Sequence, residues 1–226
     1  MSEAPALREA EIDPIQRWST ASVPRAGRVD YFAAALSEAV YPVRVDTADP
    51  ETFQAEVSFA HLGVIGVCKM AGSPHRSHRG RPELARTLNH SFNLAMTLQS
   101  PWTADHRGQL KLLPRDVVIV DSQYPINADV RDSFVAINVA VSEPWLRQWL
   151  PNPNVLAARR IPGDSLWGLA LSSYLSELSP DLAAAPPVPL PVLADQVGSL
   201  LALTANGLRN AIAGYAPAVR SLHADS

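Results

Sequence analysis

Between Gly108 and Leu150 the chain repeatedly starts and stops short apolar runs, and this stretch constrains the fold more than any other. Leu110 to Leu113, Val117 to Asp121 and Ser133 to Val141 are rich in β-branched residues and are separated by Gly, Pro and Asp. Branched side chains suit a pleated sheet and the breakers suit turns, so these runs read as strands with short connections. Arg107-Gly108 is one such turn, with the glycine free to take positive φ. The pattern ends at Ser142-Glu143-Pro144-Trp145-Leu146. Ser142 can cap the free N–H groups of a helix, and Pro144 fits the first turn, where its missing donor costs nothing. An all-β unit hands over to helices here.

The same two-residue period runs back through the preceding sequence. Phe53, Ala55, Val57, Phe59 and His61 alternate with polar or small residues, and Leu62 to Met70 continues as a more apolar strand. His90, Phe92, Leu94, Met96 and Leu98 give the cleanest alternation in the chain, and Trp102 to His106 follows as another strand. Gly72 to Pro82 is rich in Gly, Pro, Arg and His and reads as loop or edge strand. Some eight short strands with short connections imply a closed barrel or jelly roll rather than a parallel sheet.

Before the strands, Val29, Phe32, Leu36 and Val40 fall at helical spacing. After Ser142 the helical period returns. Trp167, Leu171, Tyr174, Leu175 and Leu178 form one apolar stripe, and Leu193, Val197, Leu200, Leu201, Thr204 and Leu208 form another. Between them Pro186 to Pro191 reads as a stiff, extended connector. The division expected is an arm over 1–24, a barrel over 25–150, a helical dimerisation region over 151–214 and a linker over 215–226. The fold class is α+β, mainly β: a barrel or jelly roll followed by two or three helices.

Composition narrows the function. The 226 residues are 47% apolar and 18% charged, which suits a globular chain with a substantial core. A net charge of -3 argues against this segment serving by itself as a nucleic-acid surface, which needs clustered Lys and Arg. The single cysteine, Cys68, forbids an internal disulfide and fits a reducing compartment. No leader and no membrane-spanning run is visible, so a cytoplasmic protein is expected.

Certain segments carry a family resemblance: Arg17-Trp18-Ser19-Thr20, Arg86-Thr87, the run from His106 to Ser122, Val139 to Leu146, and the helix from Asp164. Together they resemble the N-terminal, cupin-like sensor domain of the AraC/XylS family of bacterial transcription regulators, over roughly residues 15 to 180. One departure is Arg115, where relatives place Gly in the turn before Asp116. The resemblance implies a small organic effector, aromatic or amine in character, bound in the barrel. It also implies a homodimer, and DNA contact through a helix-turn-helix domain. No room for that domain remains after Ser226, so the expectation is a sensor domain without its reader.

Catalytic alternatives are weaker. Gly163-Asp164-Ser165-Leu166 spells a serine-esterase signature, but only His223 follows it, without an aspartate three residues earlier. Asp164 or Ser165 as a helix cap is the simpler reading. A metal-dependent cupin enzyme, such as a dioxygenase or isomerase, would need converging His-x-His, carboxylate and histidine ligands. Here His75 and His78 are three apart, a spacing that sends strand side chains to opposite faces, and the segment reads as a solvated loop. Cys68 lies in an apolar strand and would be inert there. Asp116 and Asp121 have no histidine nearby in sequence and read as turn residues. No catalytic residue, metal or cofactor is expected. The ligand-binding residues expected are Phe59, Phe92, Met96, Trp102 and His106. The dimerisation residues expected are Leu171, Leu175, Leu178, Val197, Leu201 and Leu208.

Overall fold

A computed structural model describes residues 13–87 and 89–222, with side chains of the last helix described as far as Leu208. The order opens with β1 (Ile15–Ser19), α1 (Arg28–Ala39) and β2 (Arg44–Asp46). A hairpin of β3 (Ala55–Leu62) and β4 (Ile65–Gly72) turns at Gly63, whose φ of +67° favours glycine. Next come β5 (His75–Arg79), the single turn α2 (Arg81–Leu84), β6 (Ser91–Thr97), β7 (Trp102–Asp105) and β8 (Gln109–Leu112). The β unit continues with β9 (Val117–Asp121), β10 (Ile126–Val130) and β11 (Phe134–Ser142). Then follow α3 (Glu143–Trp149), the short β12 (Arg160–Ile161), α4 (Leu166–Glu177) and α5 (Leu190–Leu222).

The strands form two antiparallel sheets. One has seven strands in the order β1-β3-β4-β11-β6-β9-β12, and the other five in the order β2-β5-β10-β7-β8. Their inner faces share one apolar cluster, in which Val57 and Cys68 of the larger sheet join Trp102, Ala104 and Leu112 of the smaller. This is the mainly β barrel with helices that the sequence pattern implies. Phe32 and Leu36 of α1 belong to the same cluster, so α1 plugs one end of the barrel.

A second cluster lies on the other side of the seven-stranded sheet. Leu94, Ile119, Ile137 and Val139 point outward there and are covered by α3, α4 and α5. Gly198 lets α5 approach α3, because a Cβ there would come within 2.2 Å of the Trp149 indole. The handover at Ser142 is as the sequence implies: its hydroxyl accepts the Trp145 N–H at 3.4 Å and Pro144 sits in the first turn of α3.

Several boundaries differ from the sequence reading. The segment assigned to an arm contributes β1, which pairs with β3 from Ile15 opposite Ala60 to Ser19 opposite Glu56. Residues 1–12 lie outside the described residues. The His-rich segment is not a solvated loop: β5 pairs with β2 on one side and β10 on the other. β5 shows no hydrophobic alternation, because its outward positions carry Arg76 and His78 and its inward ones include Ser77 and Arg79. By contrast β10 does alternate, with Ile126, Ala128 and Val130 inward and Asn127 and Asp129 outward. The proline connector ends sooner than expected, since α5 begins at Leu190 and takes Pro191 into its first turn, where no N–H is needed. The segment from Tyr215 read as a linker continues the α5 backbone to Leu222. Arg115 forms the turn in spite of lacking glycine, by adopting φ +71°, a left-handed conformation costly for any residue with a Cβ.

Candidate functional site

The barrel interior is defined by register. Across the seven-stranded sheet, Phe59, Cys68, Asn138, Ala95 and Val118 form one inward rung, and Val57, Met70, Ala136 and Thr97 the next. From the five-stranded sheet, Ser77, Ala128 and Ala104 form the facing rung. Small side chains meet from both sides, so the centre is not filled. A cavity of about 100 Å³ remains, lined by both inner faces and closed by Leu36, Val40, Tyr41 and Val43 from α1 and the chain after it.

Two of the five residues expected to bind ligand, Met96 and Trp102, line this cavity. Met96 does so from the edge, because its side chain belongs with Phe92 and Leu94 to the outward cluster under the helices. The bulky face of β6 is therefore its outer face, and Asn93, Ala95 and Thr97 point inward. Phe92 is accordingly a core residue and not a cavity residue. Phe59 points inward but lies near the barrel end, its ring over Gly66, where a Cβ would come within 2.9 Å of it. It does not line the cavity.

His106 is structural. Its Nδ1–H donates to the Pro125 carbonyl at 2.9 Å, and its Nε2 accepts the Asp121 N–H at 3.0 Å. Both nitrogens are used, and burial pushes its pKa below the usual histidine range, so the ring is neutral. It follows the last residue of β7 and pins the loops between strands.

Sequence reasoning missed three other polar groups. Arg79 is fully buried on the inner side of β5 and donates to the carbonyls of Pro42 at 2.8 Å and Ser122 at 2.7 Å, and to the Thr87 hydroxyl. Its guanidinium lies 4.9 Å from the centre of the Tyr41 ring, so it holds the cavity's closing segment in place. His90 bridges Asp121 at 2.9 Å and Glu143 at 2.7 Å, which ties the ends of β6 and β9 to the start of α3. Asp121 thus does have histidine partners, brought from distant strands. Asp116 accepts from the Gly163 N–H at 3.0 Å and from Arg160 Nε at 2.5 Å. Burial alone would raise its pKa, but the Arg160 guanidinium and two backbone N–H groups outweigh that and hold it below the usual carboxylate range. These two aspartates do serve their turns, Asp116 accepting the Leu113 N–H at 2.7 Å and Asp121 the Gln123 N–H at 3.0 Å. They also join the barrel to α3 and to the entry of α4.

The remaining chemistry candidates resolve locally. Ser165 occupies the N-cap position of α4, but its hydroxyl donates to the Pro162 carbonyl at 2.8 Å and makes no capping bond. His223 lies outside the described residues. His75 points into the barrel, while His78 on the outer face meets Asn127. Among the described residues no three His, Cys, Asp or Glu side chains come together to hold a metal ion. Burial pushes the Cys68 thiol up to about 12, which leaves no thiolate for nucleophilic chemistry.

The residues expected at a dimer seam are occupied within the chain. Leu171, Leu175, Leu178, Val197 and Leu201 are buried in the outer cluster, and Leu208 packs against it. Amphipathic stripes need a partner, and here the outer face of the sheet is that partner. Leu166 and Leu169 of α4 and Leu203 of α5 are exposed instead. Among the described residues no helix is long and apolar enough to cross a membrane.

A family model described as an AraC-binding-like domain matches residues 32–204. The crystal structure of the AraC-like transcriptional activator CuxR is similar over 85% of this chain and 70% of that chain, with a TM-score of 0.71 at 14% identity, a likeness of fold. Rru_A2000 from Rhodospirillum rubrum, a cupin-2 domain, aligns over 70% of this chain and 90% of its own at 12% identity and a TM-score of 0.31. A cupin 2 conserved barrel domain protein from Rhodopseudomonas palustris aligns over 54% and 92% at 9% identity and a TM-score of 0.31. No curated protein sequence matches the chain. Since the family model spans most of the chain, this protein belongs to the AraC-binding-like domain family.

Proposed function

We propose that this chain is the effector-sensing domain of a bacterial transcription regulator, active in the cytoplasm and without catalysis of its own. The observation that carries the reading is the cavity inside the barrel, closed by α1 and the chain after it. Inward residues of both sheets wall it, small ones such as Ser77, Ala128 and Ala136 among larger ones such as Trp102 and Phe134. A small organic ligand held there would bind one arrangement of the closing segment better than others and shift its population by that difference in affinity. The response would pass outward through the two junctions described above, His90 between Asp121 and Glu143 and Asp116 with Arg160, to α3 and α4. From the helices it would reach a DNA-binding helix-turn-helix domain, as the likeness to an AraC-like transcriptional activator supports. Homodimerisation belongs to the same reading, through apolar side chains still exposed, Leu166, Leu169 and Leu203. Light scattering tests the dimer, and a monomer would remove that part.

The sensor reading is tested by a thermal-shift screen against a broad set of small organic compounds. A ligand specific for the folded state raises its stability by about 2.7 kcal/mol at a hundred times its Kd. Ala136→Leu, which fills the cavity from the inner face of β11, is expected to abolish the response while remaining folded. If no compound stabilises the chain, or if the filled barrel responds equally, the barrel is not a sensor.

A further inference from the structure

The cavity contains two polar atoms of opposite character that the fold leaves unmatched. Trp102 Nε1, which can only donate, and Asn138 Oδ1, which can only accept, are buried without a hydrogen-bond partner among the described residues. Both side chains line the cavity, at 8% and 7% exposure. Trp102 comes from the inner face of β7 and Asn138 from that of β11, so the donor and the acceptor approach from opposite sheets. On the same inward face of β6, Asn93 also has no partner for its side-chain nitrogen or oxygen. Buried polar atoms are nearly always satisfied, and an orphan costs about 1–3 kcal/mol. A pair of them at one cavity marks the place of a complementary group.

The rest of the lining limits what that group can be. Among the described residues no Asp, Glu, Lys or Arg lines the cavity. Burial keeps the two titratable groups neutral, lowering the pKa of His75 and raising that of the Tyr41 phenol to about 12. The His75 Nδ1–H is already given to the Ser73 carbonyl at 3.2 Å. An ion placed here would touch no opposite charge on the lining. Arg79, behind the Tyr41 ring, is already held by the Pro42 and Ser122 carbonyls and the Thr87 hydroxyl. A buried charge without a direct partner is far more costly than an unpaired dipole. The volume of about 100 Å³ sets the size, since a cavity of about 150 Å³ takes one benzene.

We propose that the barrel binds a small uncharged molecule, about four or five non-hydrogen atoms, bearing a hydrogen-bond acceptor for Trp102 Nε1–H and a donor for Asn138 Oδ1. A short-chain carboxamide or alcohol has that chemistry. This rests on the sensor reading above and narrows it, excluding the carboxylates and protonated amines that a general aromatic or amine effector would allow.

The test titrates the ¹⁵N-labelled chain with propionamide, propionate and n-butylamine, matched in size but neutral, anionic and cationic, and follows the indole N–H signals. One signal, identified as Trp102 by its loss in Trp102→Phe, is expected to shift saturably with propionamide. Propionate and n-butylamine should bind at least about tenfold more weakly. Trp102→Phe and Asn138→Leu, followed by backbone amide signals, should each weaken propionamide about three- to tenfold. Equal or tighter binding of propionate or n-butylamine overturns the ligand class and leaves the sensor reading standing. Unchanged propionamide affinity in both variants overturns the role of the polar pair. Absence of saturation by all three overturns the class, and the broad screen then decides the sensor reading by itself.

Discussion

One strand, β6, shows both characters of this molecule on alternate residues. Its outward side chains, Phe92, Leu94 and Met96, lie in an apolar seam under the helices, with the His90 ring packed on Phe92 at its edge. Its inward ones, Asn93, Ala95 and Thr97, are small or polar; Thr97 lines the cavity, and the Asn93 carboxamide is unmatched. The outer face is built for stability, since tight packing of large side chains supplies burial and dispersion. The inner face gives some of that up, and the volume it leaves empty is what a ligand could use.

The contrast is broken most directly at the outer face. Leu201 on α5 is fully buried against the sheet and α4, so Leu201→Glu would place an unpaired carboxylate in the apolar seam. The expected loss is about 4 kcal/mol or more, a large share of the roughly 5–15 kcal/mol that holds an ordinary domain. Urea denaturation checks it. A variant that kept its unfolding midpoint but changed its assembly by light scattering would restore Leu201 to a subunit interface and remove it from the chain's own core.

A second difference is in response to acid. The buried members of the outer cluster are apolar, with Tyr174 packed at its margin, whereas His75 lines the cavity and His106 pins the loops at the barrel end. Burial lowers both pKa values in the folded state, so below the unfolded value of about 6.5 the unfolded chain binds more protons. Stability from these groups is therefore complete above about pH 6.5 and falls as the medium is acidified, by up to about 1.4 kcal/mol per pH unit for each ring. Asp116, with its lowered pKa, loses its contribution only at lower pH, through and below the ordinary carboxylate range near 4. Urea midpoints at about pH 7.5 and 5.5 should fall for the parent chain and fall less for His106→Gln. An outer-face variant such as Leu94→Ala should be destabilised to the same extent at both. Identical acid slopes for the parent and His106→Gln would remove His106 as a source.

Much of the fold was legible because strand period and breakers act locally. Val117 to Asp121 is a strand as read, Ser142 caps α3, and both apolar helical stripes are helices. What escaped depended on partners distant in sequence. Period two separates the faces of β6 but says nothing about which faces a cavity, and the bulkier one proved to lie under helices that begin only at Glu143, long after the strand ends at Thr97. His106 looked like a ligand group because its partners, the Pro125 carbonyl and the Asp121 N–H, are set by a loop return that has no motif. Arg79 stood among residues that read as solvated, although its inward position follows from alternation with His75 and Ser77 once β5 is known to be a strand. Trp102 was found from its alternation and size; Asn138 was hidden by the apolar run around it.

The smallest expected effect is also the most specific to the inner face. At Asn138 the carboxamide oxygen is buried without a donor, so Asn138→Leu removes an unsatisfied acceptor and replaces it with a side chain of similar branching. In a satisfied core such a change would leave a partner stranded and cost about 1–3 kcal/mol. Here no chain atom loses a bond to that oxygen, and added apolar surface enters existing space, so a gain of up to about 1 kcal/mol is expected. The same variant should lose ligand response, giving stability and function opposite signs at one residue. That opposition is the mark of a site shaped for a molecule other than the chain itself. A loss of about 2 kcal/mol or more on urea denaturation would mean that Asn138 is satisfied in the folded chain, and the inner face would then differ from the outer only in composition.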